Sequence, residues 1–113
     1  MSLKIIQRQV GDVTVLDCVG RIVLGEGANI LRETVHCCVT EGNQKLLLNL
    51  ASVTYMDGTG IGELVSAYTF IKNIGGDLKL LNPQERINRA FQITRLDFFD
   101  VIDDETQAIA SFA

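Results

Sequence analysis

Residues 45–82, KLLLNLASVTYMDGTGIGELVSAYTFIKNIGGDLKLLN, combine the signals of a strand, a helix and a second strand. The apolar run 45–50 is bounded by turn residues and is typical of a strand covered on both faces. From Gly58 onward, apolar residues recur at helical spacing until Gly75-Gly76, which predicts the end of the helix. Residues 77–81 are again short and apolar. The stretch therefore predicts two parallel strands joined by a right-handed helical crossover.

The residues before this stretch predict a hairpin, a loop and a helix. Residues 3–9 and 13–19 are short apolar or alternating segments separated by Gly11-Asp12, which indicates an antiparallel pair. Residues 20–27, GRIVLGEG, have glycines at both ends and predict a loop. Apolar residues at helical spacing then predict an amphipathic helix over residues 28–40.

The residues after this stretch continue the alternation of helix and strand. A short helix is predicted around Ile87 and Phe91, then a strand over residues 98–102. Asp103-Asp104-Glu105 places acids in the first turn of a terminal helix, as the helix dipole favours. The predicted order is ββαβαβαβα in one layered α/β domain spanning residues 1–113. Its mixed, mostly parallel sheet has an antiparallel N-terminal edge and about four helices.

Composition narrows the class of protein. The 113 residues are 47 % hydrophobic, enough for one domain with a core. The net charge is −4 and the lysines and arginines are scattered, which argues against nucleic acid as a partner. No apolar run approaches the roughly 20 residues of a membrane span, so we expect a cytoplasmic protein without direct membrane insertion. Three cysteines and one histidine lack metal-site spacing, and we expect neither a metal nor a cofactor.

The junction YMDGTGIGELV, residues 55–65, is the candidate functional site. Asp57 is placed to cap the helix through first-turn amides. Thr59 in that first turn would present its hydroxyl to solvent, where a phosphate is electrostatically tolerated. Gly58, Gly60 and Gly62 permit either the close approach of another protein or close packing of the helix end on the sheet. Their spacing does not follow the G-x-G-x-x-G or P-loop nucleotide-binding patterns.

Residues 45–82 resemble the STAS domains, and within them the bacterial anti-sigma factor antagonists. The likeness lies in the strand, the Asp-Ser-Ser/Thr-Gly type motif, the helix, the Gly-Gly turn and the following strand. It extends to VTVLDCVGRI and AFQITRLDFFDVIDD, and so over nearly the whole chain. In that family the second hydroxyl residue of the motif is phosphorylated. The resemblance implies that Thr59 is this residue and that Asp57 helps shape the phosphorylation site.

The resemblance also implies a switch in which this chain performs no catalysis. Unphosphorylated antagonist binds an anti-sigma factor serine/threonine kinase, phosphorylated antagonist is released, and a serine/threonine phosphatase resets it. The sequence departs from the family at Gly58, where the first hydroxyl is expected, and at Val23, near the place of an interface acid. The residues implied to bind the partner and shape the phosphosite are Asp57, Gly58, Gly60, Ile61, Gly62, Arg21 and Val23.

Two other classes of function stay open. A non-catalytic STAS scaffold subunit of a signalling or membrane-transport assembly would also accommodate Gly58 and the altered loop. An enzyme would need a base with an orienting acid, such as His36 with Glu33, but a solvated helix face explains these two residues better. The adjacent Cys37 points about 100° away around the helix, and so not toward His36. The acids Asp97, Asp100, Asp103, Asp104 and Glu105 do not follow the calcium-loop spacing.

Overall fold

The computed structural model describes residues 3–95 and 98–113. Their element order is ββαβαβαβα, which confirms the predicted fold class. The elements are β1 (Leu3–Val10), β2 (Val13–Ile22), α1 (Glu26–Thr40), β3 (Lys45–Met56), α2 (Gly58–Asn73), β4 (Asp77–Leu81), α3 (Glu85–Ile93), β5 (Val101–Ile102) and α4 (Glu105–Ala110).

The five strands form one sheet in the order β1-β2-β3-β4-β5. β1 pairs antiparallel with β2 across the Gly11-Asp12 turn, and the other neighbours are parallel. Since each crossover steps in the same direction, a constant right-handed sense places α1, α2 and α3 on one face of the sheet.

Each face of the sheet has its own core. Leu46, Leu48 and Leu50 of β3 pack with buried residues of α1, α2 and α3 in the larger cluster. Leu47, which alternates with them, belongs to the smaller cluster with Ala108 of α4. The prediction that this strand is covered on both faces is therefore confirmed.

The prediction that residues 20–27 form a loop is wrong for residues 20–22. Gly20, Arg21 and Ile22 continue β2, where they pair with residues 53, 55 and 56 of β3. Ile22 is completely buried. β3 likewise runs six residues beyond its predicted end at Leu50. The two extensions stabilise each other through backbone pairing between residues more than 30 positions apart, which no local pattern reveals.

The last third of the chain differs from the prediction in one element. The strand predicted over residues 98–102 contains only Val101–Ile102. Phe99 is instead buried in an aromatic cluster, with its ring centroid 5.2 Å from Tyr68 and 5.6 Å from Phe91. The acidic start of the terminal helix is confirmed, since Asp104 caps α4 by accepting from the Gln107 amide at 3.1 Å.

Two cations from the sheet hold the two ends of α4. The Arg8 guanidinium donates to Asp17 Oδ2 at 2.6 Å and to Glu105 Oε2, at the start of α4, at 2.9 Å. Lys79 Nζ donates to the carbonyl oxygen of Ser111, just after α4, at 2.8 Å. A cation beside the last carbonyls of a helix is electrostatically favourable. The short helix is thus docked by charge as well as by apolar contacts.

This docking is expected to weaken in acid. Hydrogen bonds from Arg8 hold the pKa of Asp17 and that of Glu105 below their ordinary values. Their contribution to stability is therefore complete above the ordinary carboxylate pKa of about 4 and is lost as the pH falls through the lower folded values. Urea denaturation at pH 7 and pH 3 should show the gap between wild type and Arg8→Met closing in acid. Parallel loss of stability in both proteins would contradict this account.

Candidate functional site

The carboxyl ends of the parallel strands β2 and β3 meet at one edge of the sheet, and α2 begins there. Asp57, the residue before α2, accepts a hydrogen bond at Oδ1 from the Gly60 amide at 2.8 Å. The predicted N-cap is confirmed. Such a cap satisfies one of the amides that lack a partner in the first turn of a helix.

The second oxygen of Asp57 makes a contact that the sequence did not reveal. Oδ2 accepts a hydrogen bond at 2.9 Å from the backbone amide of Leu24, in the connection between β2 and α1. The amides of Leu24 and Gly60 hold the pKa of Asp57 below its ordinary value, because they stabilise the ionised form. One ionised carboxylate therefore joins the β2–α1 connection to the first turn of α2.

The three glycines of the motif have different roles. A Cβ atom at Gly60 would lie 1.9 Å from the carbonyl oxygen of Ile22, so only glycine lets α2 begin this close to β2. Gly58 and Gly62 are exposed, and a Cβ at either would have no atom within 4 Å. Close packing explains Gly60, whereas Gly58 and Gly62 leave open backbone on the surface.

Thr59 lies between these glycines in the first turn of α2 and is exposed. The helix N-terminus favours an anion at this position. The negative charge of Asp57, two residues before, opposes one. The site therefore places an exposed hydroxyl residue between the positive end of the helix dipole and the negative charge of Asp57.

The remaining predicted site residues lie on the neighbouring strand and its connection. Arg21 is exposed and pairs in register with Tyr55 of β3. Val23 is half-buried, and its carbonyl oxygen accepts from the Ala28 amide at 2.9 Å. Leu24, not among the predicted residues, is 73 % exposed. An apolar residue directly before a glycine in GRIVLGEG is the only sequence signal that could have indicated it.

An apolar pocket lies on the other side of the α2 N-terminus, beside Ile61. Its volume is about 160 Å³, and Arg86 at its border donates to the carbonyl oxygen of Thr54 at 2.9 Å. The lining residues are Tyr55, Met56, Ile61, Arg86, Ile87 and Ala90. Because β2, β3 and β4 are neighbours in that order, the carboxyl edge carries in sequence the Leu24 connection, the Thr59 turn and this pocket.

The other candidate residues have structural surroundings. The His36 ring stacks on Phe70 with centroids 4.3 Å apart. Burial raises the pKa of the Cys18 thiol to about 12 and that of Cys38 to about 11. Within residues 3–95 and 98–113, no three His, Cys, Asp or Glu side chains are grouped as a metal site would need. Asp97 of the acidic run lies outside the described residues.

The helices in the described part of the chain are all too short or too polar to cross a membrane. Another pocket, with a volume of about 200 Å³, lies between α1 and α2. Its lining combines Arg32, His36, Glu63 and Ser66 with two small apolar residues. The motif residues thus converge at the carboxyl edge and not in this groove.

Curated relatives of the chain are antagonists of anti-sigma factors. An anti-sigma-B factor antagonist of Bacillus subtilis is 42 % identical over 76 residues, which cover 67 % of this chain and 67 % of the relative. One from Staphylococcus epidermidis is 36 % identical over 67 residues, covering 59 % of this chain and 62 % of the relative. The chain thus matches about two-thirds of the length of these relatives.

Solved structures show the same fold. The crystal structure of a protein from Thermotoga maritima has a TM-score of 0.88 at 24 % identity. The match covers 96 % of this chain and 93 % of the Thermotoga chain. The Bacillus cell fate determinant SpoIIAA in its phosphorylated form has a TM-score of 0.76 at 19 % identity. The match covers 97 % of this chain and 100 % of the SpoIIAA chain. The murine anion transporter Slc26a9 has a TM-score of 0.74 at 16 % identity, covering 92 % of this chain and 18 % of the transporter.

The match to a family model agrees with these relatives. The STAS domain model matches residues 4–108, nearly the whole chain. Together with the element order and the Asp57–Gly60 motif at the start of α2, this match shows that the chain belongs to the STAS domain family, among the anti-sigma factor antagonists.

Proposed function

We propose that this chain is a cytoplasmic partner-switching regulator controlled by phosphorylation of Thr59. The unphosphorylated form binds an anti-sigma factor serine/threonine kinase and so frees a sigma factor. The kinase transfers phosphate to Thr59, the modified chain is released, and a serine/threonine phosphatase restores it. The chain itself performs no catalysis and needs no cofactor.

The observation that carries this proposal is the exposure of Thr59, a hydroxyl residue, in the first turn of α2. Gly58 and Gly62 leave the backbone on either side of it open, so a kinase can approach closely. Asp57 accepts the amides of Leu24 and Gly60, which ties the first turn of α2 to the β2–α1 connection. The structural neighbour SpoIIAA exists in a phosphorylated form, which supports regulation by phosphorylation in a chain of this fold.

Phosphorylation would change the interface more than the fold. A phosphate at Thr59 adds about −1.5 to −2 charges next to the ionised Asp57. On the free chain the dianion stays hydrated, and the helix N-terminus offsets part of the repulsion. Against a partner the dianion must lose water, and burying an unpaired charge is costly. The switch therefore acts through the affinity for the partner.

Phosphate transfer to one threonine tests the proposal. The kinase that co-purifies with the chain from its native cell, incubated with the purified chain and ATP, should add one phosphoryl group. Thr59→Val should abolish this mass increment, since valine keeps the shape and lacks the acceptor oxygen. Thr69→Val is the matched control, because Thr69 is also exposed on α2. Phosphate on the Thr59→Val chain would show that another residue is the acceptor.

A scaffold function is the second candidate. It is favoured by the likeness to Slc26a9, in which a chain of this fold makes up about a fifth of a transporter. A scaffold would co-purify with transporter subunits or multi-domain sensors and would accept no phosphate from them. The same co-purification and mass measurement therefore separate the two functions.

A further inference from the structure

We infer, building on the proposed function, that Leu24 is the specificity-determining contact with the partner kinase. The Leu24 side chain would enter an apolar cavity of the kinase while the adjacent α2 turn presents Thr59. The contact that we assign to this point of the surface is thus apolar.

The backbone around Leu24 is held on both sides. Its amide donates to Asp57 Oδ2 at 2.9 Å. The carbonyl oxygen of the preceding Val23 accepts from Ala28 at 2.9 Å, and that of the following Gly25 accepts from Asn29 at 3.1 Å. A segment that is already ordered loses little conformational entropy on binding, so its side chain can contribute most of its apolar burial to affinity.

The side chain of Leu24 points away from its own core. It is 73 % exposed, whereas Ile22 is completely buried and Val23 is half-buried. A single exposed leucine is ordinary on a protein surface. What distinguishes Leu24 is its place, because one carboxylate binds both its amide and the amide of Gly60, the residue after Thr59.

This placement determines the chemistry of the contact. A kinase that encloses the Thr59 hydroxyl also covers the neighbouring Leu24. Both Asp57 oxygens accept backbone amides, so this carboxylate holds the Leu24 backbone beside the Thr59 turn. An apolar cavity that removes the leucine from water therefore provides the favourable contact on this side of the site.

The test measures binding of the unphosphorylated full chain to the kinase that co-purifies with it. Leu24→Ala keeps the backbone amide that Asp57 binds and should weaken the affinity by about thirtyfold, the effect typical of removing a buried interface anchor. Leu24→Met, which preserves apolar volume, should remain within about threefold of wild type. The matched control is Ile93→Ala, because Ile93 is 74 % exposed at the end of α3. It should leave the affinity unchanged.

Phosphate transfer supplies a second readout. Leu24→Ala should raise KM for the chain as a kinase substrate with kcat unchanged, because the contact is the same before and during the reaction. Its thermal midpoint should equal that of wild type. Affinity of Leu24→Ala within threefold of wild type would overturn this inference, although phosphate transfer to Thr59 would still support the proposed function. If wild type neither binds the kinase nor accepts phosphate, both are overturned.

Discussion

Replacing Gly60 by alanine is expected to destabilise the protein by about 3 kcal/mol or more, at the upper end of overpacking effects. The new Cβ would lie 1.9 Å from the carbonyl oxygen of Ile22 and 2.8 Å from its carbonyl carbon. Both are backbone atoms of the fully buried end of β2, so they cannot move aside as a flexible side chain would. The start of α2 must shift away, and the hydrogen bond from Gly60 to Asp57 is lost with it. Urea denaturation of wild type and Gly60→Ala measures the effect.

Gly62→Ala is the matched control in the same helix. No atom lies within 4 Å of its added Cβ. Alanine is a better helix former than glycine, so this variant should be more stable by about 0.5–1 kcal/mol. Opposite signs for the two substitutions would identify the contact with β2 as the reason for Gly60. Equal effects would mean that helix propensity alone governs both positions.

Stoichiometric phosphorylation of Thr59 is expected to weaken binding to the partner kinase by at least about a hundredfold. Burying an unpaired charge costs several kcal/mol, and each 1.4 kcal/mol lowers the affinity about tenfold. Asp57 adds like charge next to the phosphate, and the hydrogen bonds from two amides favour its ionised form. Isothermal titration calorimetry of the modified and unmodified chains measures the change.

The location of this effect is tested separately. The circular dichroism and thermal midpoint of the phosphorylated chain should match those of the unmodified chain, since Thr59 is exposed and not part of either core. A lower affinity with unchanged folding places the switch at the interface. Equal affinity of the two forms would refute the switch, and a collapse of the thermal midpoint would mean that phosphorylation acts by unfolding α2.

Much of the fold could be predicted because its signals are local. The Gly11-Asp12 turn, the apolar spacing of α2 and the Asp57 cap depend on residues a few positions apart, and all three are present. The ends of β2 and β3 could not be predicted, since Gly20, Arg21 and Ile22 become strand only by pairing with residues more than 30 positions away. The strand predicted over residues 98–102 is shorter in the structure for a similar reason, because Phe99 packs against aromatic rings that are distant in sequence.

The sequence by itself determined the element order and placed one acid, one hydroxyl residue and three small residues at the start of α2. Only the tertiary structure decided what these residues do. It brought the carbonyl oxygen of Ile22 against Gly60, and it placed the amide of Leu24 on the free oxygen of Asp57. The physical reason is distance along the chain. Helix caps and apolar periodicity arise between sequence neighbours, whereas the pairing of β2 with β3 brings Leu24 and Asp57 together although they are 33 positions apart.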